Sequence, residues 1–352
     1  MNAQKQKLFL DALRGEKTNR IPLWFMRQAG RYLPEYRELR ASKGGFLDMV
    51  YDPQSACEVT MQPIRRFHMD AAILFSDILV IPHALGQKLD FVPGHGPKLE
   101  PIRSQDDLAR LSYRNFDNVL SPVYETLRLT SSALKTEGYE DVALIGFAGS
   151  PWTVACYMVE GQGSKDFMQT KIMAYQNPQL FAEIIDTLVE YTAQYLIKQV
   201  EAGAEALQLF DSWSGVLDAT QFKRWVIEPT RKIVQLVREV YPKIPIIGFP
   251  KGAGYNYLPY AQNTGVSTLG LDSAVPTDWA VRALQSQMPV QGNLDPFCLF
   301  AGGDSLILET EKILQAFGKA AFIFNLGHGI HKDTPIAHVE QTIAAVRDFK
   351  VQ

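Results

Sequence analysis

Eight short apolar segments alternate with helical patterns along the chain, and this alternation constrains the fold more than any other feature of the sequence. Most of the segments lack a regular alternation of polar and apolar residues, which is typical of strands buried on both faces of a parallel sheet. We therefore predict an α/β protein built as a single (β/α)8 TIM barrel, with residues 1–352 as one catalytic domain. The predicted strands are 21–26, 71–76, 142–148, 206–210, 244–249, 267–271, 289–292 and 321–325.

Helical spacing fills the intervals between these segments. Apolar residues three and four apart from Phe181 to Tyr195 predict a helix that begins near Pro178 and ends before Gly203. Further helices are predicted over 52–67 and from 304–305 and 334–335, and residues 86–94 predict an added hairpin. A doubly wound open sheet is the alternative architecture. It would be favoured by a glycine-rich phosphate loop after the first strand, where the chain instead reads 26–31 MRQAGR.

Composition limits the possible functions and the compartment. The formal net charge is -3, which argues against general nucleic-acid binding. The three cysteines, Cys57, Cys156 and Cys298, are widely spaced and predict no disulfide framework, as expected in a reducing compartment. We find neither a signal-peptide core nor a run of about 18 apolar residues, so we expect a cytoplasmic protein without a membrane span.

The polar residues that directly follow the predicted strands are the candidates for chemistry, because active sites of such barrels lie at the carboxyl ends of the strands. These residues are Arg27, Arg31, Asp77, Ser150, Asp211, Ser212, Lys251, Asp272, Asn293, Asp295, Asn325 and His328. Around the first of them, five arginines fall within 21 residues: Arg20, Arg27, Arg31, Arg37 and Arg40. Arg37 and Arg40 are also compatible with a solvated charged face. Since guanidinium groups pair well with carboxylates and phosphates, the cluster indicates a polyanionic ligand.

Asp77 and His328 each allow two interpretations. Asp77 is a lone acid in an apolar run, so it either forms a structural salt bridge or points into the barrel mouth as an acceptor for N–H groups or a cation. His328 lies between two glycines after the last strand, a good position for ligand contact. His331 follows at a spacing compatible with metal binding, but no cysteine or third ligand accompanies the pair, so no metal site is predicted.

Two segments, 22–35 and 146–161, resemble the signature motifs of the uroporphyrinogen decarboxylase family, and 75–79, 291–296 and 325–329 match other segments of it. This resemblance covers nearly the whole chain. It implies one (β/α)8 barrel, usually a homodimer, that works in tetrapyrrole and haem biosynthesis. The reaction implied is decarboxylation of the four acetate arms of uroporphyrinogen III to methyl groups, which gives coproporphyrinogen III and CO2 without a metal or organic cofactor.

The same resemblance implies a set of site residues. The catalytic residues implied are Asp77, Arg27, Tyr157 and His328. Substrate contacts are implied for Arg27, Gln28, Ala29, Gly30, Arg31, Phe46, Asp77, Tyr157, Ser212 and His328, with Arg40 as a further candidate. After Ser212 the chain reads 213–215 WSG, which departs from the family pattern.

An electron-rich pyrrole can act as its own electron sink once its α-carbon is protonated, and Asp77 is the anion available for the resulting cation. The proton donor stays open between Arg27, a carboxyl arm of the substrate, and water held by Tyr157 and His328. One competing function is that of a zinc-dependent corrinoid methyltransferase of the same fold, which needs cysteine and histidine ligands at strand ends. A second is a phosphate-handling aldolase or isomerase, disfavoured by the acidic segment 293–295. A third is a non-enzymatic tetrapyrrole carrier, which would use the same binding residues.

Overall fold

A computed structural model describes residues 5–92 and 96–351. Seven parallel strands form one sheet with the order β1-β4-β5-β6-β7-β8-β9, and β2 and β3 form a separate antiparallel hairpin. The strand order never reverses, so the doubly wound alternative is wrong. The strands are β1 Ala71–Ile73, β2 Leu89–Val92, β3 Gly96–Leu99, β4 Ala143–Gly149, β5 Ala206–Asp211, β6 Ile246–Pro250, β7 Thr268–Gly270, β8 Val290–Leu294 and β9 Phe322–Leu326.

The first predicted strand, 21–26, is wrong as a strand. It forms only an isolated parallel bridge between Leu23 and Phe324 of β9. The Leu23 N–H is diverted to the carboxylate of Asp70, and Pro22 has no N–H to offer, so a regular ladder cannot form. The sheet is therefore a curled, barrel-like, open sheet of seven strands, and the predicted eight-stranded barrel is confirmed only to that extent.

The segment 21–26 nevertheless lies between the two edge strands. On one side, the Phe324 N–H donates to the Pro22 carbonyl (2.9 Å) and the Trp24 N–H donates to the Phe324 carbonyl (3.3 Å). On the other side, the Asp70 N–H donates to the Leu23 carbonyl (2.9 Å), directly before β1. The segment thus leads Arg27 to the same edge of the sheet as the carboxyl ends of the strands.

Helices cover the outside of the sheet, and several begin where the sequence predicts. The predicted helix 52–67 is α4, and the helix predicted between Pro178 and Gly203 is α10, whose residues Phe181, Ile184 and Leu188 are fully buried. The helices are α1 Leu8–Leu13, α2 Pro34–Ala41, α3 Phe46–Val50, α4 Pro53–Phe67, α5 Val80–Ala84, α6 Gln105–Leu108, α7 Phe116–Thr136, α8 Pro151–Glu160, α9 Met168–Gln176, α10 Pro178–Glu201, α11 Ala219–Phe222, α12 Glu228–Val240, α13 Tyr257–Thr264, α14 Thr277–Ala280, α15 Pro296–Ala301, α16 Gly303–Phe317 and α17 Ile336–Asp348. Two 3-10 turns, Ser214–Val216 and Gly254–Asn256, and two π-helical turns, Lys223–Ile227 and Val281–Gln285, complete the set.

The predicted hairpin is confirmed as β2 and β3, although residues 93 and 94 of the prediction lie outside the described residues. Phe91 of β2 packs on Phe46 of α3 with ring centroids 4.7 Å apart, and Phe46 packs in turn on Phe75 at 5.8 Å. Phe75 lies two residues before Asp77, so the hairpin covers one flank of the sheet edge that carries the site.

Polar side chains run through the inside of the curl. Trp24 Nε1 donates to Gln291 Oε1 (2.8 Å), and Gln291 Nε2 donates to Gln208 Oε1 (3.1 Å). These contacts join the segment 21–26 to β8 and β5 across the interior. Because the groups are buried, each hydrogen bond compensates a desolvation cost of about 1–3 kcal/mol.

Candidate active site

Asp77 lies in the connection between β1 and α5, at the carboxyl edge of the sheet. Its Oδ1 accepts a hydrogen bond from the Leu79 N–H (2.9 Å), and no other described residue donates to the carboxylate. Burial raises the pKa of Asp77 to about 6, while the Leu79 N–H and the positive charge of Arg27 act in the opposite direction. No described residue forms a salt bridge with Asp77, so the structural interpretation weighed for it is not supported within the described part of the chain, where Oδ2 of the carboxylate accepts no hydrogen bond.

Arg27 follows the segment 21–26 on a turn with an unusual backbone. Its φ is +60°, in the left-handed region that is uncommon for a residue with a β-carbon. The aliphatic part of its side chain lies against Gly329, where any β-carbon would collide with it. The guanidinium itself is exposed to solvent at the sheet edge. Gly329 therefore acts as a platform that directs Arg27 toward the space beside Asp77.

His328 lies between β9 and Gly329 and is half-buried. Burial lowers its pKa to about 3, and the charges of Arg27 and Lys251 lower it further in the same sense. The imidazole is therefore neutral at physiological pH and can donate one hydrogen bond and accept another. The backbone that carries it is anchored, since Asn325 Oδ1 accepts from the N–H groups of Met26 (3.0 Å) and Leu326 (2.7 Å).

Tyr157 projects from α8, which begins at Pro151 directly after β4. Its ring centroid lies 6.3 Å from that of Trp213. Burial raises the pKa of Tyr157, and the negative charge of Asp77 adds to this effect while Arg27 opposes it. The phenol is therefore a neutral hydrogen-bonding group within electrostatic reach of both charged residues.

Ser212 lies half-buried between β5 and Trp213, in a loop that is tied to α8. Thr153 Oγ1 donates to Asp211 Oδ1 (2.5 Å) and accepts from the Trp213 N–H (3.1 Å). This arrangement fixes the backbone on both sides of Ser212. None of the described residues hydrogen-bonds with its hydroxyl.

The residues of the turn that follows Arg27 differ in burial, from a buried side chain at Gln28 to an exposed one at Arg31. Gln28 is 1% exposed, and its amide bridges the Phe25 N–H (3.2 Å) and the Ala71 carbonyl (2.9 Å), so its side chain supports the turn from inside. Ala29 and Gly30 are partly exposed, and Arg31 is exposed. The backbone N–H of Gln28 donates to the Phe25 carbonyl (2.9 Å) and its carbonyl accepts from the Tyr32 hydroxyl (2.8 Å), so the substrate contact expected of Gln28 is not supported, whereas Arg31 presents its side chain to solvent.

The five clustered arginines do not act together. Arg20 forms a two-point ion pair with Asp70 (2.5 and 2.8 Å) at the amino end of β1, away from the site. Arg37 donates to the carbonyls of Arg31 (2.7 Å) and Tyr32 (3.3 Å), and so stabilises the turn. Arg40 lies over the ring of Phe46 at 5.8 Å, on the flank formed by the hairpin. Of the five guanidiniums, those of Arg27 and Arg31 are therefore the candidates for the anionic ligand that the sequence predicts.

Two tyrosines beside Asp77 were missed by sequence reasoning. Burial raises the pKa of both Tyr51 and Tyr195, and the charge of Asp77 raises it further in each case. Tyr195 belongs to the apolar stripe of α10, so its spacing predicts a core residue and gives no sign of the site. Tyr51 ends α3 and shares a hydrogen bond of 2.7 Å with His83 Nδ1.

Two further observations concern other kinds of site. Among residues 5–92 and 96–351, no group of three histidine, cysteine, aspartate or glutamate side chains is placed to hold a metal ion. The cysteines Cys57, Cys156 and Cys298 lie in α4, α8 and α15 rather than at strand ends. In the part of the chain that the structure describes, no helix is long and apolar enough to cross a membrane.

The fold and the site together define a barrel-like α/β enzyme, whose carboxylate, neutral histidine and phenol lie beside arginines at the carboxyl edge of a curled parallel sheet. The family model for uroporphyrinogen decarboxylase (URO-D) matches residues 4–349. This chain belongs to the uroporphyrinogen decarboxylase family, as the sequence motifs indicate.

Individual relatives agree with this assignment. A uroporphyrinogen decarboxylase of Sphingopyxis alaskensis is 54% identical over 347 residues, covering 99% of both chains. One from Erythrobacter litoralis is 52% identical over 343 residues, covering 97% of this chain and 99% of its own. Among solved structures, a methyltransferase from Methanosarcina mazei superposes with a TM-score of 0.76 over 97% of this chain and 98% of its own. Its sequence is only 19% identical, so that likeness concerns the fold alone.

Proposed function

We propose that the protein decarboxylates the four acetate arms of uroporphyrinogen III to methyl groups, giving coproporphyrinogen III and CO2, with Asp77 as the central catalytic residue. The observation that carries this proposal is the free oxygen of the Asp77 carboxylate at the sheet edge. A porphyrinogen offers four pyrrole N–H donors, and its sp³ bridges let the macrocycle dome so that all four point to one side. A carboxylate has about four lone-pair sites, so Asp77 can accept from the whole set.

The same carboxylate serves the chemistry. Protonation of a pyrrole α-carbon creates a cation that takes up the electron pair left when the acetate C–C bond breaks and CO2 departs. A proton from water then adds to the exocyclic methylene to give the methyl group, and loss of the first proton from the α-carbon restores the pyrrole. A fixed anion in surroundings of low polarity stabilises that cation far more than water does. Tyr157 and His328, both neutral, supply hydrogen bonds at the rim and can hold a water molecule near the reacting arm.

Arg27 and Arg31 bind the carboxylate arms of the substrate. Both residues are exposed, and among the described residues neither guanidinium forms an ion pair that a substrate would have to displace. Their fork geometry suits carboxylates, and substrate that covers them excludes water from the pairs. We expect the exposed parts of Ala29, Gly30, Phe46 and Ser212 to line the same mouth, while Gln28 supports the turn from inside. The reaction as proposed uses no metal or organic cofactor, because the pyrrole itself takes up the electrons.

Anaerobic turnover of uroporphyrinogen by chelator-treated protein tests this function. We expect coproporphyrinogen from the untreated and the chelated enzyme alike, and no reaction with oxidised uroporphyrin, which is flat and has only two N–H groups. Asp77→Asn removes the negative charge and turns an amide NH2 group, which can only donate, toward the pyrrole N–H donors. We therefore expect turnover to fall about 10²–10³-fold. Asp77→Glu keeps the charge and should retain more activity.

Each alternative predicts a different result in this assay. Binding without turnover in the wild type would indicate a carrier, and activity that is lost on chelation and restored by zinc would indicate metal chemistry. Wild-type rates in a well-folded Asp77→Asn variant would contradict the role given to the carboxylate. Thermal melts of each variant separate a lost function from a lost fold.

We also propose that the segment 21–26 closes the curled sheet into a single (β/α)8 barrel, and that residues 1–352 act as one catalytic domain. The hydrogen bonds from this segment to β9 and to Asp70 support closure on both sides. The buried apolar residues form one connected cluster that extends from Phe9 to Val346, which supports a single domain.

A homodimer in the cytoplasm is the proposed form of the protein. Large apolar side chains are exposed in the connections that follow β4, β6 and β8, and a second copy would cover them: Met168, Ile172, Tyr175, Tyr255, Phe297 and Phe300. Sedimentation of the wild type and of a Tyr255→Ser/Phe297→Ser variant measures this association. The three cysteines are free thiols, as expected in a reducing compartment.

A further inference from the structure

Lys251 directly follows β6 at the carboxyl edge of the sheet, and none of the roles described above includes it. We propose that Lys251 binds a carboxylate arm of the substrate on the side of the mouth opposite Arg27 and Arg31. This inference rests on the proposed function and adds a specificity residue to the same site.

The backbone of Lys251 is held in place by the neighbouring loop. Its N–H donates to the Asp211 carbonyl (3.1 Å), and its carbonyl accepts from the Gly215 N–H (3.2 Å) and from Ser214 Oγ (3.1 Å). The loop that contains Ser212 and the loop after β6 therefore form one unit.

Close packing continues at the next residue. Gly252 has a φ of +78° and touches Gly215, where a β-carbon would lie 2.5 Å from the Gly252 carbonyl oxygen. The Gly252 N–H donates to Asp272 Oδ2 (2.6 Å), a buried carboxylate just after β7. Contacts with β5 and β7 thus fix the point from which the Lys251 side chain leaves the sheet.

The ammonium of Lys251 has no partner among the described residues. Lys251 is half-buried, yet across residues 5–92 and 96–351 no carboxylate or carbonyl pairs with its side chain. Asp211 and Asp272, the acids that contact the backbone of residues 251–252, have side chains engaged by Thr153 and by Tyr257 and Gly252. A partly desolvated cation without a counterion is costly, and an anionic ligand removes that cost.

The location fits an arm that Arg27 and Arg31 do not reach. In the sheet order, β6 lies four positions away from the segment 21–26, which is half of the circuit. His328 lies within electrostatic range of both cations, since the charges of Arg27 and Lys251 add to burial in lowering its pKa. A ligand that spans the mouth with carboxylates on its periphery therefore meets positive charge at both ends.

A lysine suits this position better than an arginine does. Its ammonium is a compact charge on a flexible stem and accepts partners from many directions. A macrocycle that must present four acetates in turn brings arms of different length and position to this point. Lys251 can follow them, whereas the planar guanidinium of an arginine favours one approach.

The test compares Lys251→Met, Lys251→Arg and a matched control, Lys223→Met, which removes an exposed lysine from the segment after the β5 loop. In Lys251→Met we expect KM for uroporphyrinogen to rise about tenfold to a hundredfold, the equivalent of one charge-assisted hydrogen bond. We expect kcat to change by less than about threefold, because Lys251 would bind the carboxylate arm equally in the ground state and in the transition state. Lys251→Arg should recover part of the affinity, and Lys223→Met should behave as the wild type.

Two further measurements keep the result independent of stability and of the proposed reaction. NMR titration of His328 should show a higher pKa in Lys251→Met, because one neighbouring charge is gone. If the wild type binds uroporphyrinogen but does not turn it over, the function proposed above fails, and the Kd values of wild type and Lys251→Met still decide the role of Lys251. Equal KM or equal Kd in the two proteins overturns the inference.

Discussion

At the scale of single residues, burial at one edge of the sheet shifts the pKa values of Asp77 and His328 in opposite directions. Burial disfavours the charged form of both groups, so it raises the pKa of the carboxyl to about 6 and lowers the pKa of the imidazole to about 3. At neutral pH the pair is one negative charge beside one neutral ring. That combination suits a ligand that offers N–H donors and becomes cationic during the reaction.

This assignment predicts the acid limb of the pH profile. Because Asp77 must be ionised to accept the pyrrole N–H groups, kcat/KM should fall tenfold for each pH unit below about 6. His328→Asn should leave the midpoint of this limb in place, since the wild-type imidazole is already neutral there, while Asp77→Glu should move it. Anaerobic initial rates between pH 4.5 and 8 measure it. A midpoint that shifts in His328→Asn and stays in Asp77→Glu would reverse the two roles.

The rule that chemistry lies after the strands predicted from the sequence that Asp77, Arg27 and His328 lie at one edge of the sheet, and they do, because strand ends can be located without knowledge of packing; their roles stay predictions. It also named Lys251, but without a role. The arginine cluster was harder to interpret, since nearness along the chain does not show that Arg20 turns back to Asp70. Tyr195 could not be found at all, because a helical residue that faces a site has the same spacing as one that faces the core.

At the scale of elements, seven of eight predicted strands are confirmed, because a run buried on both faces has a strong sequence signal. The eighth, 21–26, has the same apolar signal, but local chemistry prevents a regular ladder. Pro22 lacks a donor, and the Asp70 side chain takes the N–H of Leu23. Competition of this kind comes from a residue about fifty positions away, so a pattern within the segment cannot reveal it.

Asp70 is therefore expected to hold this segment in place. Its carboxylate is 5% exposed and accepts from Arg20 and from the Leu23 N–H. Asp70→Ala leaves a half-buried guanidinium and a buried N–H unpaired, and should lower the free energy of unfolding by about 3 kcal/mol. Asp186→Ala is the matched control, because the Asp186–Lys232 ion pair is exposed and should contribute less than about 1 kcal/mol. Urea denaturation of both variants checks this. Equal losses of unfolding free energy would show that the Asp70–Arg20 ion pair contributes no more than an exposed pair.

At the scale of the whole molecule, buried ionisable groups at the candidate site lower the free energy of unfolding. Asp77 and Asp211 have pKa values raised by burial to about 6 and about 7, so both carboxyls resist ionisation in the folded protein. Lys251 adds a half-buried cation that pairs with none of the residues the structure describes. Enzymes commonly retain such groups because function needs them, and replacing them often increases stability.

Asp77→Asn should therefore make the protein more stable in a manner that depends on pH. The folded-state pKa of Asp77, about 6, lies above the value of 3.8 expected for an unfolded chain. The native state thus retains a proton that the unfolded state has already lost, and the stability contributed by the protonated carboxyl is fully present below pH 3.8 and is lost as the pH rises through about 6. Asparagine cannot ionise and keeps the shape of the side chain, so it avoids this loss.

After allowance for the partial exposure of Asp77, we expect Asp77→Asn to exceed the wild type by about 2 kcal/mol in unfolding free energy at pH 8. The difference should disappear near pH 4, and urea denaturation at both pH values measures it. Asp186→Asn, at an exposed site, should show no comparable change with pH. A variant that is less stable than the wild type at pH 8 would mean that the Asp77 carboxylate supports the fold, and its loss of turnover would then say nothing about catalysis.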